Sequence, residues 1–195
     1  MSQNKYYNEA ENDFFVKNRV IFLCGEITAQ TAYEVGFKIQ YLDYLDDKKP
    51  ITLQINSPGG EVTAGLAIID TIRHAKCPVR TVVCGLAASM AAVIAACGTK
   101  GMRYITPNSE EMIHQPLGGM PMSQATDFEI HNRHIQLTKQ RLIAILARAC
   151  GRTVEDPEGE PFAPSPEKSR FLTSVLRSSK APPPGGLLAS SGAER

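Results

Sequence analysis

The sequence predicts one α/β domain built on a largely parallel sheet, and three observations carry that expectation. Short β-rich runs, each closed by a glycine or a polar turn, alternate with longer stretches of helical periodicity. Of 195 residues, 43% are apolar and 21% charged, with no Trp and only 7% aromatic, so the chain can fill one mostly aliphatic core but is short for two full domains. Lys and Arg number 21 against 20 Asp and Glu, a formal charge of +1. That balance offers no basic excess for a phosphate backbone and no acidic excess to keep a chain unfolded, which argues against a nucleic-acid binder and against a solvated acidic protein.

Residues 19–24 (RVIFLC) are β-branched and aromatic, and Gly25 is expected to stop them. From Thr28 to Leu45, Ala32, Val35, Ile39, Leu42 and Leu45 recur at helical spacing, and the polar run 46–50 ends the pattern. Ile51 to Ile55 reads as a short strand broken by Asn56-Ser57-Pro58-Gly59-Gly60, after which Val62 to Ile72 returns to helical spacing. Val79 to Cys84 is again β-rich and is broken by Gly85, and the Ala-rich stretch from Ser89 to Cys97 has the propensity of a buried helix. The longest helix is expected over Ala125 to Cys150, with Ile130, Ile135, Leu137, Leu142, Ile145 and Leu146 as its apolar stripe and Gly151 as its stop. Residues 151–195 then hold 7 of the 13 Pro and 5 of the 15 Gly, a composition that predicts a poorly folded tail. No internal repeat supports a solenoid.

No apolar h-region is readable near the N-terminus, and the longest apolar run, Leu86 to Cys97, is far short of the roughly 20 residues that cross a bilayer. Five Cys without a CxxC pair read as reduced, buried thiols, and a cytoplasmic location is expected.

Three features could carry chemistry. In Gly85-Leu86-Ala87-Ala88-Ser89-Met90-Ala91-Ala92 a hydroxyl stands where a strand gives way to a helix, flanked by residues too small to cover it, which makes Ser89 the candidate nucleophile. The plain alternative is that Ser89 only caps a buried helix. Ser57-Pro58-Gly59-Gly60 places two glycines after a strand, where amides can meet a ligand with no Cβ in the way; it suits an oxyanion hole or an ordinary turn. In Met112-Ile113-His114-Gln115-Pro116-Leu117-Gly118-Gly119, an imidazole leaves an apolar segment for a Pro/Gly-rich loop, and His114 is the candidate general base or a structural histidine.

Taken together, Asn56 to Ile68, Gly85 to Ala91, Met112 to Gly119 and Gln124 to His131 resemble the proteolytic-subunit family of the Clp protease, from about Arg19 to Thr153. The resemblance implies the crotonase-like α/β fold, with repeated β-α units, a mostly parallel sheet and a long protruding helix that with the Gly-rich strand before it forms a handle, here Gly118 to Cys150. It divides the chain into an axial segment (1–18), a protease domain (19–153) and a divergent tail (154–195). Residue by residue it implies Ser89 as nucleophile, His114 as base, and the backbone N–H groups of Gly60 and Met90 as oxyanion donors. It further implies a serine endopeptidase in stacked heptameric rings, without metal or cofactor. Unfolded proteins would be supplied by a hexameric AAA+ Clp ATPase of ClpX, ClpA or ClpC type, which uses the ATP. Substrate would extend along Gly59-Gly60 and Leu117 to Gly119.

The pattern fails at the third triad member. Where the family carries an aspartate, this chain has Pro161-Phe162-Ala163-Pro164, and Asp156 is the only aspartate after Asp127. Asp156 precedes Pro157 in a turn-like stretch and is a weak candidate; Glu155, Glu158, Glu160 and Glu167 read as a solvated tail. The abrupt change near Arg152 suggests a diverged C-terminus or a change of reading frame, which a search of the other two frames for a strand ending in Asp would test. A catalytically impaired ring subunit is therefore the second reading, and an acyl-CoA hydratase or isomerase of the same superfamily the third. His131 and His134 share a helix face at zinc-compatible spacing but read as surface or ring-contact residues, and Asp70 as a structural hydrogen-bond partner.

Overall fold

In the computed structural model the described residues are 13–114 and 125–152. Outside them lie residues 1–12 of the axial segment, the segment with Leu117 and Gly118 proposed for substrate and handle, and the tail with Asp156.

Strands β1 (Val20–Ile27), β2 (Ile51–Gly60), β3 (Val79–Ala88), β4 (Arg103–Ile105) and β5 (Glu110–Met112) form one parallel sheet. The order is β1-β2-β3-β4, and β5 continues the pairing of β3 beyond β4. The crossovers are α1 (Ala29–Leu45), α2 (Val62–His74) and α3 (Met90–Ala96), and α4 (Ala125–Cys150) follows β5. Parallel strands need such crossovers, which explains the β-α alternation seen in the sequence. The core is aliphatic, as the composition predicts: Leu23, Ile51, Leu53 and Ile55 of the sheet meet Ile39 and Leu42 of α1 and Ile68 and Ile69 of α2, all fully buried. Burying each such side chain stabilises the fold by roughly 2 kcal/mol relative to exposure.

Both ends of α1 are closed by side chains. Thr28 Oγ1 accepts from the Thr31 N–H at 3.2 Å, a standard N-cap. At the other end the buried Arg19 guanidinium donates to the carbonyls of Leu42, Asp46, Lys49 and Pro50 at 2.9–3.3 Å, satisfying the last turn of the helix and the polar run after it. Along the solvent side of α1, Tyr33, Phe37 and Tyr41 stack in series at centroid distances of 6.2–6.3 Å.

Several sequence expectations need correction. Gly25 and Gly85 do not end their strands: β1 and β3 run on through them with register shifts, and the positive φ of each (75° and 104°) is the backbone signature of a bulge. Asn56 to Gly60 does not break β2 either, because β1 supplies pairing partners out to Gly60. The three-residue strands β4 and β5 carry no readable period of their own; they exist because β3 offers them an edge. Cys24 is exposed rather than buried, and of the five thiols only Cys77 is fully buried. In α4 the apolar stripe docks only at its C-terminal end: Ile145, Leu146 and Ala147 are buried, whereas Ile130 is 69% and Leu137 57% exposed. There Arg103 donates to the carbonyls of Gly98 at 2.8 Å and Ala149 at 2.6 Å, tying the last turn of α4 to the end of α3.

Candidate active site

The C-terminal ends of β2, β3 and β5 converge at one place, where open parallel sheets present their ligand sites. The sequence there explains the geometry. β3 follows β2 in register through Ile55↔Val83, bulges over Cys84 to Leu86, and resumes at Ser57↔Ala87. Asn56 Oδ1 accepts from the Leu86 N–H at 3.1 Å, and a Cβ at Gly85 would lie 2.7 Å from that same oxygen. The small buried Ala87 and Ala88 then lead to Ser89.

Ser89 has φ 54° and ψ −123°, a conformation that side-chain-bearing residues avoid and that costs about 1–3 kcal/mol. It sits at the N-cap position of α3, yet its side chain makes no capping hydrogen bond. The plain helix-cap alternative therefore does not describe this hydroxyl. Its backbone is held instead: the Ser89 N–H donates to the Met112 carbonyl at 2.8 Å.

Met90 opens α3, and its amide, as the first of the helix, has no acceptor within it. Its side chain is anchored below, against α2, where a Cβ on Gly65 would lie 2.5 Å from Met90 Cε. Gly59 approaches from β2. A Cβ there would stand 2.7 Å from both Ala88 O and Ser89 Cβ and 3.1 Å from Met90 N, so only glycine lets the two backbones approach this closely. The Gly59 amide is occupied by Ser57 Oγ at 3.1 Å. Gly60 is glycine for another reason: a Cβ on it would overlap the Ile27 carbonyl of β1. Glu61, not Gly60, donates to Ile27 O, at 2.8 Å. The two glycines thus admit different neighbours: Gly59 lets Ala88 and Ser89 come close, and Gly60 lets Ile27 of β1 come close.

His114 arrives on the chain leaving β5. Ala88 pairs with Met112, and His114 lies two residues beyond the carbonyl that holds Ser89, about 7 Å along an extended chain. Ile113 packs against the core while Met112 and His114 are exposed, the alternation of a chain still extended past the strand. Gly60 thus ends β2, Ser89 and Met90 follow β3, and His114 follows β5; β2 and β5 flank β3 at this end of the sheet. Asp156 lies outside the described residues.

Sequence reasoning missed one titratable group here. Glu111, in the middle of β5, turns its carboxyl inward, where neither oxygen has a hydrogen-bond partner among the described residues, and burial pushes its pKa up to about 8. Two adjacent glutamates in a three-residue strand give no signal that one must point inward. Burial pushes the Cys77 and Cys97 thiols up to about 11 and raises Cys84 and Cys150 as well, away from the thiolate form a nucleophile needs. Asp70 engages through its backbone carbonyl, which lies 2.8 Å from His74 Nδ1. Among the described residues no group of three or more His, Cys, Asp or Glu could hold a metal ion, and no helix is long and apolar enough to cross a membrane.

A model of the Clp protease family matches residues 3–160. The chain belongs to that family. It is 46% identical over 141 residues to the ATP-dependent Clp protease proteolytic subunits of Streptococcus pyogenes serotype M5 (strain Manfredo) and serotype M49 (strain NZ131), covering 72% of this chain and 72% of each relative. The same identity and coverage hold for the proteolytic subunit of serotype M1. Clp protease family members are serine peptidases, and this chain is one of them. That family is not the acyl-CoA hydratases and isomerases that the sequence left as a third reading.

Proposed function

We propose that this chain cleaves unfolded polypeptides as a Clp-type serine endopeptidase subunit, with Ser89 as nucleophile, His114 as general base and the Gly60 and Met90 amides as oxyanion donors. The observation that carries the reading is the strained, non-capping Ser89, its amide held by Met112 and its Cβ closely approached by Gly59. In this reading His114 takes the Ser89 hydroxyl proton as Oγ attacks a peptide carbonyl. The two amides then meet the developing oxyanion, and the proton passes to the leaving amine. Water, activated by the same imidazole, hydrolyses the acyl-enzyme and returns the proton. No step calls for a metal.

Asp156 remains the candidate to orient His114. Without an orienting carboxylate a serine-histidine pair retains chemistry at a rate lower by about 10⁴. The reading extends to stacked heptameric rings, a partner AAA+ Clp ATPase that unfolds substrate at the cost of ATP, and a cytoplasmic setting. The test is a fluorophosphonate probe applied with and without a Clp ATPase. Label on Ser89, absent after Ser89→Ala, supports the assignment; no label under either condition, or peptide cleavage that survives Ser89→Ala, removes it.

A further inference from the structure

We infer that Ser109 is a positioning residue whose hydroxyl fixes the register of β5 against β3 and thereby sets where His114 stands relative to Ser89. The inference rests on the reading of Ser89 and His114 proposed above. β3 pairs with β4 as far as Val83↔Ile105 and takes up β5 at Leu86↔Glu110. Across that step, Cys84 and Gly85 on one side face the four residues from Thr106 to Ser109 on the other. Only three residues of β5 pair with β3, which leaves little in the ladder itself to forbid a slip.

The Ser109 hydroxyl fills the step. It donates to the Val83 carbonyl at 3.1 Å and accepts from the Gly85 N–H at 2.7 Å; Thr106 Oγ1, 2.5 Å away, is its third partner. A serine hydroxyl has one proton to give and two lone pairs, and all three are used. The turn behind it is closed by the Thr106 N–H on Val83 O and the Ser109 N–H on Thr106 O, each at 3.0 Å. On the far side of the bulge, Asn56 Oδ1 holds the Leu86 N–H. The bulge that precedes Ser89 and the strand that precedes His114 are therefore pinned by one oxygen. A slip of β5 by one residue would move His114 by about 3.3 Å, turn its side chain to the other face of the sheet, and remove the Met112 carbonyl from the Ser89 amide.

Two readouts test this on the full-length chain: the rate of Ser89 labelling by a fluorophosphonate together with kcat and KM for a peptide, and hydrogen exchange at the Ser89 amide. In Ser109→Ala, labelling and kcat are expected to fall about ten- to a hundredfold with KM little changed, the scale of a displaced catalytic group. Faster exchange at Ser89 is expected alongside. Ser109→Thr, which keeps the hydroxyl, is expected to restore both, and Thr106→Val, which removes one partner and serves if Ser109→Ala fails to fold, is expected to give a smaller loss. Wild-type rates and wild-type exchange in Ser109→Ala overturn the inference, as does Ser109→Thr behaving like Ser109→Ala. If the wild-type protein does not label at all, the Ser89 reading falls, and exchange at the Ser89 amide, which needs no chemistry, still decides whether Ser109 pins β5.

Discussion

Gly59 and Ser89 stand so close that a Cβ on the first would lie 2.7 Å from the Cβ of the second. One methyl group at residue 59 therefore cannot be accommodated without moving Ser89, Ala88 or the start of α3, and Gly59 also holds φ 95°, which L side chains resist. Gly59→Ala is expected to lower stability by about 3 kcal/mol and to lower the Ser89 labelling rate more than tenfold. Urea unfolding and probe kinetics on the same preparation check both.

Ser89 itself is expected to trade stability for chemistry. Glycine adopts φ 54°, ψ −123° without the penalty a serine carries, so Ser89→Gly should raise stability by about 1 kcal/mol while abolishing labelling. A melting temperature equal to or below that of the wild type would show that the backbone there stores no strain.

Glu111 gives stability a pH dependence of definite sign. Its carboxyl has a folded pKa of about 8 against an ordinary 4.5, so between those values the folded chain binds a proton that the unfolded chain has lost. The Glu111 contribution is complete below about pH 4.5 and is lost as pH rises toward 8. Cys150 of α4 is a titratable group near it; burial is the main cause that raises the Cys150 thiol, and the Glu111 charge adds to that rise. Glu111→Gln should flatten this decline, with a urea midpoint above that of the wild type at pH 8 and the difference shrinking toward pH 5. A midpoint difference that stays constant across that range would count against a buried, neutral carboxyl.

Arg103 holds two carbonyls, Gly98 O and Ala149 O, that would otherwise lose their partner at the junction of α3 and α4. Arg103→Met keeps much of the side-chain volume and removes both bonds; a loss of about 2–4 kcal/mol is expected, because each bond is made by a charged donor. Proteolysis should then cut first within α4. Unchanged stability and an unchanged cleavage pattern would mean the two carbonyls find other donors.

The elements that were legible in the sequence are those whose own side chains enforce them. α1, α2 and α4 show their periods, and the aliphatic stretches of β1, β2 and β3 declare a buried parallel sheet. The glycines misled at Gly25, Gly85 and Gly60, because a positive φ serves a bulge as well as a stop, and only the neighbouring strand decides which. β4 and β5 were unreadable since their pairing is supplied by β3. The proposed roles of Ser89, Met90, Gly60 and His114 come from the motifs and their order in the sequence. Ser109 and Glu111 were not legible there, since hydroxyls and carboxylates in short loops and strands reveal their partners only once the backbone is folded.

The anchoring of α4 has a mechanical corollary. Its buried residues, Ile145 to Ala147, lie near one end of a 26-residue rod, leaving about 30 Å of helix between that fulcrum and Ala125. A tilt of about 5° at the fulcrum swings the far tip by roughly 3 Å, the spacing of one strand residue. Any repacking beside Arg103 that tilts the helix by that angle is thus magnified at the other extremity, far from the residue that was changed.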